Sequence, residues 1–300
     1  MSTLQRTPEV PALARAVPQR TLWSNATRSF SRNRLAMAGL IVVGLMVVCA
    51  AIPFLLAPQP FYKASLIDNL QFPSPRHWFG TDQVGRDLLS RIIYGIRTSL
   101  VVGLSVQAIA FAIGFPLGAL AGLRGGWIDF IVLRLLEIMT AVPGFLFALF
   151  LMTVLGNGLP NVILAISVTA WIDVCRLTRA QVLSLREREF VVAARSYGTG
   201  DRRVVLRHLL PHAMPPLVIM LALGIPNAIF SEAGLSFLGV GINDPIPSLG
   251  KMVSESISYL SVYWYMGVFP TVTIALAMLG FNFVGDGLRD ALDPTMYNNV

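Results

Sequence analysis

Residues 35–57 read LAMAGLIVVGLMVVCAAIPFLLA, a run of 23 residues that contains no charged side chain. An α-helix needs about 20 apolar residues to cross the hydrocarbon core of a bilayer. The apolar core of a cleavable signal peptide is shorter, about 7–15 residues, so the run predicts a spanning helix that is retained. The preceding residues 1–34 are polar and contain three prolines, and we expect them to form a mostly disordered cytoplasmic tail.

The whole composition indicates the same class of protein. Of the 300 residues, 55% are hydrophobic and 13% are charged, whereas a soluble domain has about 25% charged residues. Further apolar runs with few charges, divided by the turn Arg124-Gly125-Gly126 and by GNGLP at 156–160, predict spans at about 98–123, 130–153, 160–176, 214–240 and 264–286. The expected fold is therefore an all-α integral membrane protein with six transmembrane helices. Its regions would be the tail 1–34, the first span and following loop 35–97, a core 98–288 and a second tail 289–300.

The basic residues predict how the spans are oriented. The net charge of +7 could suggest nucleic-acid binding, but the Lys and Arg residues cluster in short loops beside the apolar runs. Counted over alternate loops, 17 of them fall on one side and 6 on the other. Because basic loops stay in the cytoplasm, this split predicts that both termini are cytoplasmic, and no nucleic-acid partner is expected.

Between the first two predicted spans, FGTDQVGRD (residues 79–87) leads into apolar residues on one helical face: Leu88, Leu89, Ile92, Ile93 and Ile96. This pattern fits an amphipathic helix on the membrane surface and equally an ordinary helix that packs against the bundle. In the second span, Gly114, Gly118 and Gly122 recur every four residues, a spacing that predicts close contact with another helix.

A basic loop at about 177–213 contains VAARSYGTGDRRVVLRHLLP, residues 192–211. It predicts one helix over 187–194, a break at Gly198 and Gly200, an N-cap at Asp201, and a second helix over 202–210 held off the membrane by Pro211. Such a helix pair suits a partner's groove, although a solvated loop would show the same charge. The candidate docking residues are Ala193, Ala194, Arg195, Gly198, Asp201, Leu210 and Pro211.

Polar groups inside the predicted spans are the other candidates. Glu232, Asn227 and Asn282 could line a path for solute, because polar groups at such depth are costly and face the bundle interior; hydrogen bonds between helices are the structural alternative. No phosphate-binding loop is present, because Pro245 stands where Gly250-Lys251 would need a preceding glycine. His208 and His212 lack the glutamate of a zinc motif and are separated by Pro211, so we expect no metal site.

FGTDQVGRDLLSRIIYGIRTSL, AARSYG…LRHLLP, LSFLGVG and GDGLRDALDP together resemble the second permease of dipeptide, oligopeptide and nickel ABC importers, over roughly residues 30–295. The resemblance implies a type I importer-like permease in the bacterial cytoplasmic (inner) membrane that binds no cofactor and catalyses no reaction. The implied partners are a homologous permease in a heterodimer, two cytoplasmic ATPase subunits that bind ATP and Mg, an extracytoplasmic solute-binding protein and the lipid bilayer.

The same resemblance implies that Ala193, Ala194 and Gly198 shape a helix that docks on the ATPase, and that Leu210 and Pro211 close the motif. Val192 stands where the family has a glutamate, and His208 occupies an apolar position. An ion-driven secondary transporter, an intramembrane enzyme and a channel are the alternatives. The solute stays open among dipeptides, longer peptides, nickel complexes and opine-like compounds.

Overall fold

The computed structural model describes the chain from Leu22 to Leu292, and within that range it consists of helices and connecting segments. One isolated pair of bridged residues, Thr81 and Asp87, lies in a loop. The helices are α1 (Leu22–Arg32), α2 (Arg34–Ala51), α3 (Pro53–Leu56), α4 (Leu88–Arg124), α5 (Gly126–Thr140), α6 (Gly144–Leu155), α7 (Leu159–Leu185), α8 (Glu189–Ser196), α9 (Asp201–Val204), α10 (Leu210–Phe237), α11 (Leu249–Ser256) and α12 (Tyr265–Leu292).

Five of these helices, α2, α4, α7, α10 and α12, are long and apolar enough to cross a membrane. The pair α5 and α6 passes the same test of length and composition when it is taken as one segment, and the two helices meet at an angle of 79°, as in a broken span or a re-entrant loop. The predicted span at 130–153 is therefore a broken helix and not a continuous one. Pro143 explains the break, because its ring excludes a helical hydrogen bond and disfavours helical backbone at the preceding residue.

The first tail is partly helical. Residues 1–21 lie outside the described part of the chain, but α1 occupies 22–32, where disorder was expected. Its Phe30 lies against Gly287 of α12, where an added Cβ would be 2.9 Å from the ring. Asn33 then caps α2 by accepting from the N–H groups of Leu35 and Ala36. These contacts with α12 and α2 order a segment that looks polar in sequence. At the other end α12 continues to Leu292, and the rest of the predicted tail, residues 293–300, lies outside the described part.

The amphipathic segment and the second predicted span form one helix, α4, of 37 residues. Asp87 caps its start by accepting from the N–H of Ser90 at 2.9 Å. Leu88, Ile92 and Ile96 are buried in a cluster that also contains residues of α11 and α12. The helix therefore packs against the bundle, and the alternative of a separate helix on the membrane surface is wrong.

The most extensive helix contact is between α4 and α7. A Cβ added to Gly114 would lie 2.5 Å from the carbonyl oxygen of Trp171, and one added to Gly118 would lie 2.4 Å from that of Cys175. The two backbones therefore touch along the glycine ridge. This confirms the close approach that the glycine spacing predicts.

Residues 57–87, here called the cap, form a compact segment over the ends at which α4 and α12 begin. The ring of Phe79 stacks on Phe269 at 4.2 Å between centroids. The hydroxyl of Tyr265 donates to the carbonyl oxygen of Thr81 at 3.1 Å. His77 is 1% exposed, and its Nδ1 lies 2.9 Å from a carboxylate oxygen of Asp87, the residue that caps α4. The cap is therefore an integral part of the fold.

Candidate functional site

The predicted docking loop folds as a bent pair of helices, here called the elbow, residues 186–211. Its limbs are α8 and α9, which meet at Gly198, a glycine in the left-handed region with φ of 77°. After α9, a π-helical turn at Val205–Leu209 leads directly into α10. The N–H of Leu210 donates to the carbonyl of Val205, five residues back.

Two expectations about the elbow are corrected. Pro211 does not hold the second helix off the membrane: it lies in the first turn of α10, and the helical path runs through it. The π turn before Pro211 explains why the helical path continues. Its hydrogen bonds run to the fifth preceding residue, so the proline does not obstruct the usual bond to the fourth. Asp201 is the first residue of α9 and not its cap, since the carbonyl of Gly200 accepts the first helical N–H groups. The side chains of Asp201 and Arg195 lie outside the described part.

Both limbs of the elbow contribute buried apolar side chains. Val191, Val204 and Leu209 are each 0% exposed and share one apolar cluster with residues of α4, α5 and α7. The ring of Phe190 also stacks on His212 of α10, with centroids 4.6 Å apart.

The face of α8 that lies away from the buried Val191 is exposed. Val192 is 52% exposed and Tyr197, at the bend, is 90% exposed. Ala193 and Gly198 are exposed too, whereas Ala194 is half-buried. Of these exposed residues, tyrosine is a type that is enriched in protein contact sites. The valine at position 192 makes this face apolar at the point where the family pattern has a carboxylate.

Two arginines at the foot of the elbow were missed by sequence reasoning. Arg186 donates from Nη1 to the carbonyl of Gly122 at the end of α4, at 3.1 Å. Arg179 of α7 forms a two-point ion pair with Asp129 of α5, with 2.6 Å between Nη2 and Oδ2. In the sequence, Asp129 and Arg179 are only charged residues near the ends of apolar runs. That pattern does not indicate that two residues fifty positions apart form an ion pair.

A cavity of about 1000 Å³ lies between α4, the break between α5 and α6, α7 and α10. Its lining is largely apolar. Its polar and charged side chains are Gln107, Thr140, Thr169, Asp173, Arg176, Asn227, Ser231 and Arg289. Amides and hydroxyls among apolar walls can orient a polar solute by hydrogen bonds. Of the three candidate path residues, the structure places Asn227 here.

Glu232 and Asn282 do not line this cavity. Glu232 is 0% exposed, and its carboxylate accepts hydrogen bonds from Ser236 at 2.9 Å, Ser248 at 2.8 Å and Ser99 at 3.3 Å. It thereby joins α10 to α11 and α4, which favours the structural alternative. Asn282 is half-buried on α12.

Charged residues also connect the cap to α11. Arg91 is 2% exposed, and its Nη1 lies 2.5 Å from Asp82 of the cap and 3.3 Å from Glu255 of α11. In the same network Asp244 pairs with Lys251 and with Arg86 of the cap. Partial burial by itself would raise the pKa of Asp244, but the hydrogen bond and charge of Lys251, with the charge of the arginine, lower it. The FGTDQVGRD motif thus supplies a structural ion-pair network.

The comparison with known families agrees with this architecture. The family described as binding-protein-dependent transport system inner membrane component matches residues 114–297. The N-terminal TM domain of oligopeptide transport permease C matches residues 21–73.

Three relatives match almost the whole chain. The dipeptide transport system permease protein DppC of Alkalihalophilus pseudofirmus is 40% identical, over 91% of this chain and 90% of that protein. The oligopeptide transport system permease protein OppC of Bacillus subtilis is 39% identical, over 92% and 90%. The glutathione transport system permease protein GsiD of Escherichia coli is 40% identical, over 92% and 91%.

The fold is similar to that of a chain in inward-facing crystals of the MetNI methionine ABC transporter. The TM-score is 0.56 at 20% identity, over 68% of this chain and 97% of that chain. In this family ATP hydrolysis is carried out by separate subunits, and the permease itself is not an enzyme. The chain therefore belongs to the family of binding-protein-dependent transport system inner membrane components, the multi-pass permeases of bacterial ABC importers.

Proposed function

We propose that this chain forms half of the path by which an ATP-driven importer carries dipeptides, oligopeptides or a related small solute across the inner membrane. The names of the relatives, which are dipeptide, oligopeptide and glutathione permeases, support a peptide-like solute. The cavity supports the same class, because its amide and hydroxyl side chains suit the hydrogen-bonding groups of a peptide backbone. Asn227 and Ser231 would contact the solute.

The proposed topology has both termini in the cytoplasm. The 17-to-6 distribution of basic residues supports it. The elbow would then face the cytoplasm, and the cap would face the opposite side. A homologous permease would complete the path, two cytoplasmic ATPase subunits would bind ATP and Mg²⁺, and an extracytoplasmic binding protein would deliver the solute.

The single observation that carries the mechanism is the continuity between the elbow and α10. From Asp201 to Phe237 the chain follows one helical path through the π turn. Its first part belongs to the elbow, and Asn227 and Ser231 farther along line the cavity. Closure of the ATPase dimer on binding ATP would displace the elbow, and α10 would transmit that displacement to the cavity wall. The required free energy comes from the difference in ATP affinity between the two states.

The docking contact itself would be made by the exposed face of α8 and the bend. Ala193, Ala194 and Gly198 would give it its flat shape, with Arg195 and Asp201 beside them, and Leu210 and Pro211 would begin the connection to α10. Tyr197 would be the principal apolar contact because it is 90% exposed in this chain, and tyrosine is frequent among the residues that dominate binding energy.

Replacement of Gly198 by valine tests this proposal. Its φ of 77° lies where a β-branched side chain is strained, by about 1 to 3 kcal/mol, so the bend must change shape. Gly200 provides the matched control, because a Cβ at either glycine meets no atom within 4 Å and only Gly198 has a positive φ. We expect Gly198→Val to reduce solute-stimulated ATPase activity and uptake in the assembled transporter at least about tenfold, and Gly200→Val to change them much less. Unchanged coupling in Gly198→Val would refute the role of the elbow.

A further inference from the structure

One acidic side chain lies halfway along a spanning helix and opens into the cavity. Asp173 is within one residue of the midpoint of α7, a helix long and apolar enough to cross a membrane. Its side chain is 73% exposed and belongs to the lining of the cavity. An ionisable group at such depth is costly and marks a functional position.

The protein itself does not satisfy this carboxylate. Elsewhere in the bundle, Glu232 accepts from three serine hydroxyls, and Asp129 forms a two-point pair with Arg179. Among the described residues, the ionic partner of Asp173 is Arg176, whose Nη1 lies 4.0 Å from Oδ1. That distance is too long for a hydrogen bond, and the arginine is itself 58% exposed. The acceptor positions of Asp173 are therefore free for a ligand.

The side chain lies on the face of α7 that borders the cavity. Residues of this helix line the cavity at intervals of three and four positions, which place them on one face; they include Ile166, Thr169, Asp173, Arg176 and Ala180. Among the described residues of the lining, Asp173 is the single acidic one, and the other charged members are Arg176 and Arg289. It is therefore the one place in this lining where a cation meets a negative charge.

The chemistry of the carboxylate selects the ligand group. An ionised carboxylate only accepts hydrogen bonds, whereas a primary ammonium group carries three donors and no acceptor. Hydrogen bonds between two ions are roughly twice as strong as those between neutral groups, so the amides and hydroxyls of the cavity are weaker acceptors for such a group. A metal ion fits less well, because the described residues contain no group of three His, Cys, Asp or Glu side chains that could hold one.

We propose that Asp173 is a specificity-determining residue of the cavity and binds the positively charged amino group of the transported solute. This inference rests on the proposed function, since it needs the cavity to be part of the path. A solute with a free amino group gains a charge-assisted hydrogen bond at Asp173, and a solute whose amino group is acylated does not.

The test measures binding to the whole transporter, with its partner permease and ATPase subunits, in lipid nanodiscs. Nucleotide and the soluble binding protein are left out, so that discrimination between solutes cannot come from the binding protein. The reporter is Thr169→Cys, one helical turn from Asp173 in the same lining, in a Cys49→Ser background, since the remaining Cys175 is buried. Solute in the cavity slows the reaction of this cysteine with a maleimide, which is followed by mass spectrometry of this chain.

Three probes separate the charged groups of a small peptide: dialanine, dialanine amide and N-acetyl-dialanine. The first two carry an ammonium group and should protect the reporter at concentrations at least about tenfold lower than the acetylated probe. Asp173→Asn should raise the half-protecting concentrations of the first two about tenfold, remove their advantage and leave the acetylated probe nearly unchanged. Asp173→Glu, the matched control, keeps the carboxylate and should keep the preference.

Several results would overturn the inference. One is an equal preference for the ammonium probes in Asp173→Asn and in the unchanged protein. Another is the absence of any preference, or of any protection by dialanine amide, in the unchanged protein. Loss of the partner permease from purified Asp173→Asn complexes would assign the carboxylate to the contact between permeases. Failure of the proposed function is distinguishable, because the unchanged transporter supplied with its binding protein would then show no ATP-dependent uptake.

Discussion

The contact between α4 and α7 allows the stability effect of one methyl group to be worked out from distances. In Gly118→Ala the new Cβ would lie 2.4 Å from the carbonyl oxygen of Cys175 and 2.8 Å from the Cβ of Thr178, whereas ordinary contact begins at 3.4 Å. The shortfall, 3.4 Å less 2.4 Å, is about 1 Å. The obstructing oxygen belongs to helix backbone, which has no alternative rotamer, so the helices themselves must separate.

Overpacking of this kind lowers the free energy of unfolding by about 3 kcal/mol, the upper end of the usual range. The reason is that separation of the two helices weakens dispersion contacts along their whole interface. The greater helix propensity of alanine offsets about 1 kcal/mol. The expected net loss for Gly118→Ala is therefore about 2 kcal/mol. Gly44 of α2 provides the control, because a Cβ there meets no atom within 4 Å, and Gly44→Ala should be neutral or slightly stabilising.

The assay is SDS-induced unfolding in mixed micelles, followed by tryptophan fluorescence, since Trp171 is 7% exposed and its carbonyl faces α4 at Gly114. Gly114→Ala combined with Gly118→Ala should be less destabilising than the sum of the two changes, because one separation of the helices relieves both clashes. If Gly118→Ala were as stable as Gly44→Ala, the reasoning from backbone contact would be refuted.

Three further predictions concern buried and paired charges. Glu232→Ala removes the acceptor of three serine hydroxyls and should destabilise the protein by about 3 kcal/mol, as measured by the same SDS titration; an effect on solute selectivity without loss of stability would contradict its structural role. A double-mutant cycle with Asp129→Asn and Arg179→Gln should give a coupling free energy of about 1 kcal/mol, and a coupling of zero would show that the pair does not join α5 to α7. The pKa of Asp244 is lowered in the folded protein by Lys251, so its ionised form stabilises the fold above the ordinary aspartate value of about 3.9, and that stability is lost as the pH falls through the lowered pKa. Thermal unfolding should therefore show Asp244→Asn to be less stable than the unchanged protein at pH 7, by a margin that shrinks as the pH falls below about 3.9, whereas a difference that grows on acidification would contradict the lowered pKa.

Sequence reasoning located the spans and the helical break at Gly198 because their signals are local. An uncharged run such as 35–57 has few alternatives to a helix, since a backbone in lipid must satisfy its own hydrogen bonds. The glycines of α4 likewise predict a close helix contact from their spacing alone. The split of the elbow at Gly198 follows from the conformational freedom of glycine, which is also a property of single residues.

The tertiary structure decided the features that depend on partners distant in sequence. Whether Leu88 begins a surface helix or a buried one depends on α11 and α12, which cover it. From the sequence alone, Glu232 is a candidate path residue. Only the folded structure shows that its carboxylate accepts hydrogen bonds from Ser99 and Ser248, which lie on other segments.

The chain by itself thus determined that it is a helical membrane protein and roughly where its spans lie, because hydrophobicity and backbone preference act residue by residue. Only the folded structure decided which polar side chains face the cavity and where the helices break or continue. Those outcomes depend on contacts between segments that no local pattern records.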